Sequence, residues 1–157
     1  MPGYTTNNRM AGAQQAMGSS FKTALSLTAA TATLKRGKLT DLTVGADGAP
    51  NATDCQIVWD VSRQTAAGTS TAATPTPLDP ADTAAGTVGA VNYTAEGTIT
   101  GGSSLLMMAL NQRASQRWAA VPGSELVWPA TNLAGLAVRA LSPTYTGNFL
   151  AHAWHIE

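Results

Sequence analysis

Charge is what this chain has least of: Asp, Glu, Lys and Arg make up 11% of its 157 residues, against about a quarter in an ordinary globular protein. Nine basic and nine acidic residues cancel. Nucleic-acid binders neutralise phosphates with a basic stripe, and the one local concentration here, Lys35, Arg36 and Lys38, reads as a solvated guard at a strand end. Nucleic acid is therefore not an expected partner. A single cysteine, Cys55, excludes an intrachain disulfide framework. No apolar run approaches the ~18–20 residues of a membrane helix, so no membrane partner is expected. The first twenty residues lack the basic start and apolar stretch of a secretion signal, and synthesis in a cytoplasm is expected. Ala, Thr, Gly, Ser and Asn fill the place of charge. Small uncharged side chains hold little entropy and hydrate weakly, so a surface made of them loses little when another protein covers it.

The length fits one domain. Residues 1–20 are polar and without clear periodicity, and are expected to form an extended arm outside the core, with Tyr4, Met10 and Met17 as its anchors and a short helix over 11–17 as an alternative. From Phe21 the period is two, the rhythm of strands with alternate side chains on opposite faces. Phe21, Leu25 and Leu27 share one face; Thr40, Leu42 and Val44 continue the pattern. After the turn Asp47–Asn51, Cys55, Ile57, Trp59 and Val61 point inward while Gln56, Asp60 and Ser62 point to solvent. Residues 64–90 read as one long loop stiffened by Pro75, Pro77 and Pro80, with a short turn after Asp79-Pro80. Leu105–Leu110 is apolar on both faces, which predicts a strand buried on both sides. Further strands follow around Trp118, Trp128, Val138 and Trp154, and no repeat is visible. The expected fold is an all-β sandwich or jelly roll of about eight antiparallel strands over residues 21–157.

Chemistry is hard to place on this pattern. His152 and His155 are an odd number apart, so a strand sends them to opposite faces, and no metal site is expected. No serine lies in a nucleophile elbow, and Cys55 points inward. Asp54 and Asp60 would lie about 20 Å apart at ~3.3 Å per residue, beyond the reach of a glycosidase pair. The glycine clusters at 86–89 and 101–102 are not followed by an amphipathic helix, so no phosphate cradle forms. The chain is therefore expected to be no enzyme and to use no cofactor or small-molecule substrate. Trp59, Trp118 and Trp154 fall on apolar faces and read as core, whereas Trp128 stands beside Pro129 at a strand end as a candidate for contact.

Three segments carry a resemblance: VWDVSRQTAAGTSTAATPTPLDPAD (58–82), LNQRASQRWAAVPGSELVWPAT (110–131) and HAWHIE (152–157), together with FKT at 21–23. They resemble a group of small tailed-phage and prophage virion proteins in which an Arg-Trp strand, a Pro-Gly-x-Glu-Leu turn and a Pro-Ala-Thr turn recur in this order. The resemblance implies a jelly-roll-like cement or decoration protein on the outer surface of the head. It also implies self-association, as a dimer or trimer, and the major capsid protein as partner. Clamping two capsid subunits makes the second contact intramolecular and so raises its effective concentration. The expected contacts are Tyr4, Arg9, Met10 and Met17 on the arm, Pro75, Pro77 and Leu78 on the loop, and Trp128. Arg113 and Arg117 would pair with capsid carboxylates or with Glu125. The alternatives are a receptor- or carbohydrate-binding fibre module and a neck or tail adaptor.

Overall fold

The two-residue rhythm builds strands throughout. The computed structural model describes residues 1–9 and 15–157, and among them are twelve strands and no helix. In chain order these are β1 (Gly3–Asn7), β2 (Lys22–Ala29), β3 (Gly37–Asp47), β4 (Gln56–Ala66), β5 (Thr69–Ala73) and β6 (Thr76–Pro77). They continue as β7 (Thr87–Ala95), β8 (Thr98–Asn111), β9 (Ser115–Ala119), β10 (Leu126–Trp128), β11 (Gly135–Leu141) and β12 (Asn148–Ile156). One sheet runs β10-β3-β12-β1-β6, with β9 also paired to β3; the other runs β5-β7-β2-β11-β4-β8. All named strand pairs are antiparallel. The result is a β-sandwich.

Between the sheets lies one apolar core. Leu25 and Leu27 from β2, Ile57, Trp59 and Val61 from β4, and Val138 from β11 face Leu42 and Val44 of β3 and Phe149 of β12. The Trp59 and Phe149 rings meet edge to face at 5.9 Å and join the layers.

The sequence-predicted arm is a correction. Residues 3–7 form a strand held between β12 and β6, with Tyr4 and Thr6 fully buried. Farther on, the Met17 amide donates to the Gly147 carbonyl at 2.9 Å, and its side chain joins the core. Five residues with one large apolar side chain are too few to display a period, although pairing with β12 orders them. The expected anchor Met10 lies outside the described residues.

The expected loop over 64–90 is also corrected. β4 runs to Ala66, β5 and β6 follow, and β7 begins at Thr87. Only the stretch after Pro77 is open, closed by a turn in which the Asp79 side chain accepts from the Ala81 amide at 2.9 Å. Thr and Ala make these strands without the bulky alternation that announces one. Leu105–Leu110, expected to be buried on both sides, lies instead on β8 at the sheet edge, where no residue is fully buried.

A further departure concerns Asp60 and Ser62, expected at the surface but buried. β4 and β5 are separated only by Ala67-Gly68, and β7 and β8 only by Glu96-Gly97. Since β4 pairs β8 and β5 pairs β7, one continuous two-chain ribbon forms both ends of the sheet, which therefore curls back on itself. The crossing is tight: a β-carbon on Gly68 would sit 2.0 Å from the Ala95 carbonyl oxygen. The curl encloses a polar interior of Thr23, Ser26, Asp60, Ser62 and Gln64. A register shift beside Ala24 turns Thr23 toward Arg139, and Phe21 packs under the Arg139 guanidinium at 4.6 Å instead of joining Leu25 and Leu27.

Candidate functional site

The outward face of the first sheet is built by strands whose inward positions are filled with Leu42, Val44, Ala151, Ala153 and Tyr4. Strict alternation then turns Thr43, Asp41, His152, Trp154, Thr5 and Asn7 outward. Register aligns them in rows: Thr5, Trp154, Asp41 and Ala119 lie across one line, and Asn7, His152, Thr43 and Arg117 across the next. A shallow groove of about 540 Å³ runs over this face, lined by Thr40, Asp41, Thr43, Leu78, Arg117 and Trp154. The Leu78 side chain is 58% exposed at its rim.

Polar groups fix the geometry of the groove. Arg117 Nε donates to both Asp41 carboxylate oxygens, at 3.1 and 2.8 Å, and its Nη2 donates to the same carboxylate. Arg117 is 70% exposed and Asp41 only 14%, so the carboxylate is partly sheltered while the guanidinium faces outward. His152 stacks on Trp154 at 3.8 Å and shares a hydrogen bond with the Thr5 hydroxyl through Nε2. Burial holds the His152 pKa below its usual 6.5, against the pull of Asp41. The arrangement offers a flat aromatic and aliphatic patch with a guanidinium beside it. That is the chemistry of an adhesive contact: Trp and Arg are the side chains most enriched at binding hot spots.

The expected contact residues divide between this groove, the core and other surfaces. Leu78 and Arg117 meet at the groove. Tyr4 and Trp128 do not reach the surface; they flank the buried His155, with ring centroids 5.5 Å away on either hand, and the Tyr4 hydroxyl donates to the Thr83 carbonyl. Burial pushes the His155 pKa down to about 4, against the opposing pull of Glu157. Met17 and Pro75 are buried, and Pro77 pairs with Tyr4 across β6 and β1. Arg9 is bound to Asp47 at the surface. Neither Arg113 nor Arg117 pairs with Glu125: Arg113 binds Asp54 and the Asn51 carbonyl, and Arg117 binds Asp41, because β9 lies beside β3.

The sequence does not single out Asp41 and Thr43, offers His152 only as a metal-ligand candidate and places Trp154 in the core. The run Ala151-His152-Ala153-Trp154 puts the small residues inward and the large ones outward, so taking Trp154 as core inverts the phase. Trp118, by contrast, is half-buried against the core as expected.

A second cleft, of about 290 Å³, opens beside the curl and includes Phe21, Asp60, Ser62, Ser104, Met107 and Arg139 in its lining. Asp60 accepts from Ser62 Oγ at 2.6 Å, Ser104 Oγ at 2.5 Å and Arg139 Nε at 3.0 Å. With both oxygens engaged, this carboxylate acts as a clamp between β4, β8 and β11.

Among the described residues no group of three or more His, Cys, Asp or Glu side chains could hold a metal ion. Among the described residues no helix is long and apolar enough to cross a membrane. Comparison of the chain with protein-family models, curated proteins and solved structures finds no match, so the functional reading rests on the residues themselves.

Proposed function

We propose that this protein is a bacteriophage cement or decoration protein that binds the outer face of the head and ties major capsid subunits together. The observation that carries the reading is the groove where Leu78 and Arg117, both nominated from the sequence, meet the half-exposed Trp154. Low charge supports it, since 11% charged residues leave a surface that loses little hydration when covered. The resemblance of residues 21–157 to small phage virion proteins supports it too, and carries with it the jelly-roll connectivity, self-association and location on the virion. In this role the protein is a binder with no catalytic or cofactor chemistry.

The test uses undecorated, expanded heads of the phage or prophage that carries the gene. Purified protein should co-sediment with them, and the double variant Leu78→Ser, Trp154→Ala should bind at least tenfold more weakly while keeping its circular dichroism spectrum. Labelled protein should cover the whole head. Wild type that stays in the supernatant would overturn the reading, and label confined to one vertex would assign a neck or tail adaptor instead.

A carbohydrate-binding fibre module is the second reading. It is favoured by the Trp154 ring lying beside Asp41 and Arg117, a planar apolar surface with hydrogen-bonding groups at its edge. Binding to a glycan array without head binding would select it.

A further inference from the structure

β8 is an edge strand of unusual character. It spans fourteen residues, Thr98–Asn111, and pairs on one side only, with β4. Natural sheets guard such edges with charge, proline or brevity, because unpaired amide and carbonyl groups recruit further strands. β8 has neither charge nor proline, since from Gly97 to Gln112 there is no Asp, Glu, Lys, Arg or Pro; register shifts break its pairing between Thr98 and Leu106, and from Leu106 to Asn111 the edge runs regular and unguarded. Instead it carries Leu105, Leu106, Met107, Met108 and Leu110, with Met107 59% exposed.

The core is also unfinished along this flank. Of the partly buried apolar residues that pack on the core, Leu105, Leu106, Met108 and Leu110 come from β8 and Trp118 from β9, the strand that follows. Leu106, Met108 and Leu110 lie opposite Val61, Trp59 and Ile57 and so belong to the core-facing side.

We propose that β8 pairs antiparallel with β8 of a second copy of this chain, across a twofold axis through Met108. Symmetry restricts the axis to a residue, and Met108 is the centre of the regularly paired apolar stretch Leu106–Leu110. Core-facing side chains meet core-facing side chains only when the axis passes through a residue, because an axis between residues would set one face against the other. An axis at Met108 places Met108 opposite itself, Leu106 opposite Leu110, and Met107 opposite Ala109. An uncharged strand set against itself brings no like charges together, which is why a second copy fits this edge. The pairing joins two curled sheets into one and covers the open side of both cores. The reading above gains from it a named partner and a two-armed unit able to bridge capsid subunits.

The test needs no phage head, so its failure is separate from failure of the proposed function. Sedimentation of the full-length protein should show a monomer–dimer equilibrium. Ala109→Lys, which puts charge on the edge, should raise the dimer dissociation constant at least tenfold, whereas Val121→Lys, at a 71% exposed residue outside the sheets, should leave it unchanged. Met108→Cys should form a disulfide-linked dimer on mild oxidation, since directly opposed β-carbons lie roughly 4.5–5.5 Å apart and the native Cys55 is buried. Circular dichroism checks that each variant folds. A protein monomeric at all concentrations would overturn the proposal, and so would a dimer indifferent to Ala109→Lys.

Discussion

Trp128 packs directly onto the backbone of Gly37: a β-carbon on Gly37 would sit 2.0 Å from Trp128 Cζ2 and 2.4 Å from Cε2. The two residues are cross-strand partners in β10 and β3. This explains why an indole beside a proline at a strand end is core and not contact surface. Gly37→Ala must push the ring aside and should lower stability by about 1–3 kcal/mol, the range for an overpacked core. Urea titration of the two proteins measures it; an unchanged midpoint would mean that the indole moves freely.

Removal of the Asp60 carboxylate should cost more. Arg139 is 18% exposed and Asp60 1%, so Asp60→Ala strands a half-buried guanidinium. Breaking a buried pair from one side costs roughly 3–5 kcal/mol. Asp60→Asn keeps the hydrogen-bonding shape and should lose less. Denaturant midpoints that rank wild type, Asn and Ala in that order would bear this out.

Stability should begin to fall with acid near pH 6.5, where an ordinary histidine takes up its proton. His155 is held neutral in the fold, with its pKa pushed down from 6.5 to about 4, so the unfolded chain binds its proton first. Stability present above pH 6.5 is therefore lost as the pH falls toward 4, by on the order of 3 kcal/mol at most. His152, also lowered, adds in the same direction. His155→Phe removes two ring nitrogens that have no hydrogen-bond partner. It should flatten the dependence between pH 4.5 and 6.5, as read by calorimetry. An equally steep profile in that variant would exclude His155 as the source.

Deletion of residues 1–7 should destabilise the fold rather than merely free a tether. Tyr4 is fully buried against His155, and truncation of a large buried aromatic costs roughly 3–5 kcal/mol, before the backbone pairing with β12 is counted. A truncated protein with wild-type thermal stability would contradict this.

Arg117→Ala separates stability from binding. The guanidinium is mostly exposed, so solvent screens its pairing with Asp41 and little folding stability rests on it. The urea midpoint should barely move. Head attachment, in contrast, should weaken severalfold if the groove is the docking surface.

Much of this protein was legible in the order of its residues. Cys55, Ile57, Trp59 and Val61 alternate without interruption, as do Leu42 with Val44 and Leu136 with Val138, and each set lies in the core. Period two with regular turns is enough to dictate an all-β sandwich, because successive side chains of a strand face opposite sides and the apolar side must be covered by a second sheet. Pairing partners were not legible. Which strand lies beside Gly3–Asn7, and that β4–β5 and β7–β8 run together as one ribbon, depends on contacts between residues far apart in the chain. Those contacts decided that Tyr4 and Trp128 are interior and that Asp60 is enclosed, because burial depends on what covers a face. The same holds for Trp154, left outward because Ala151 and Ala153 fill the core side of its strand.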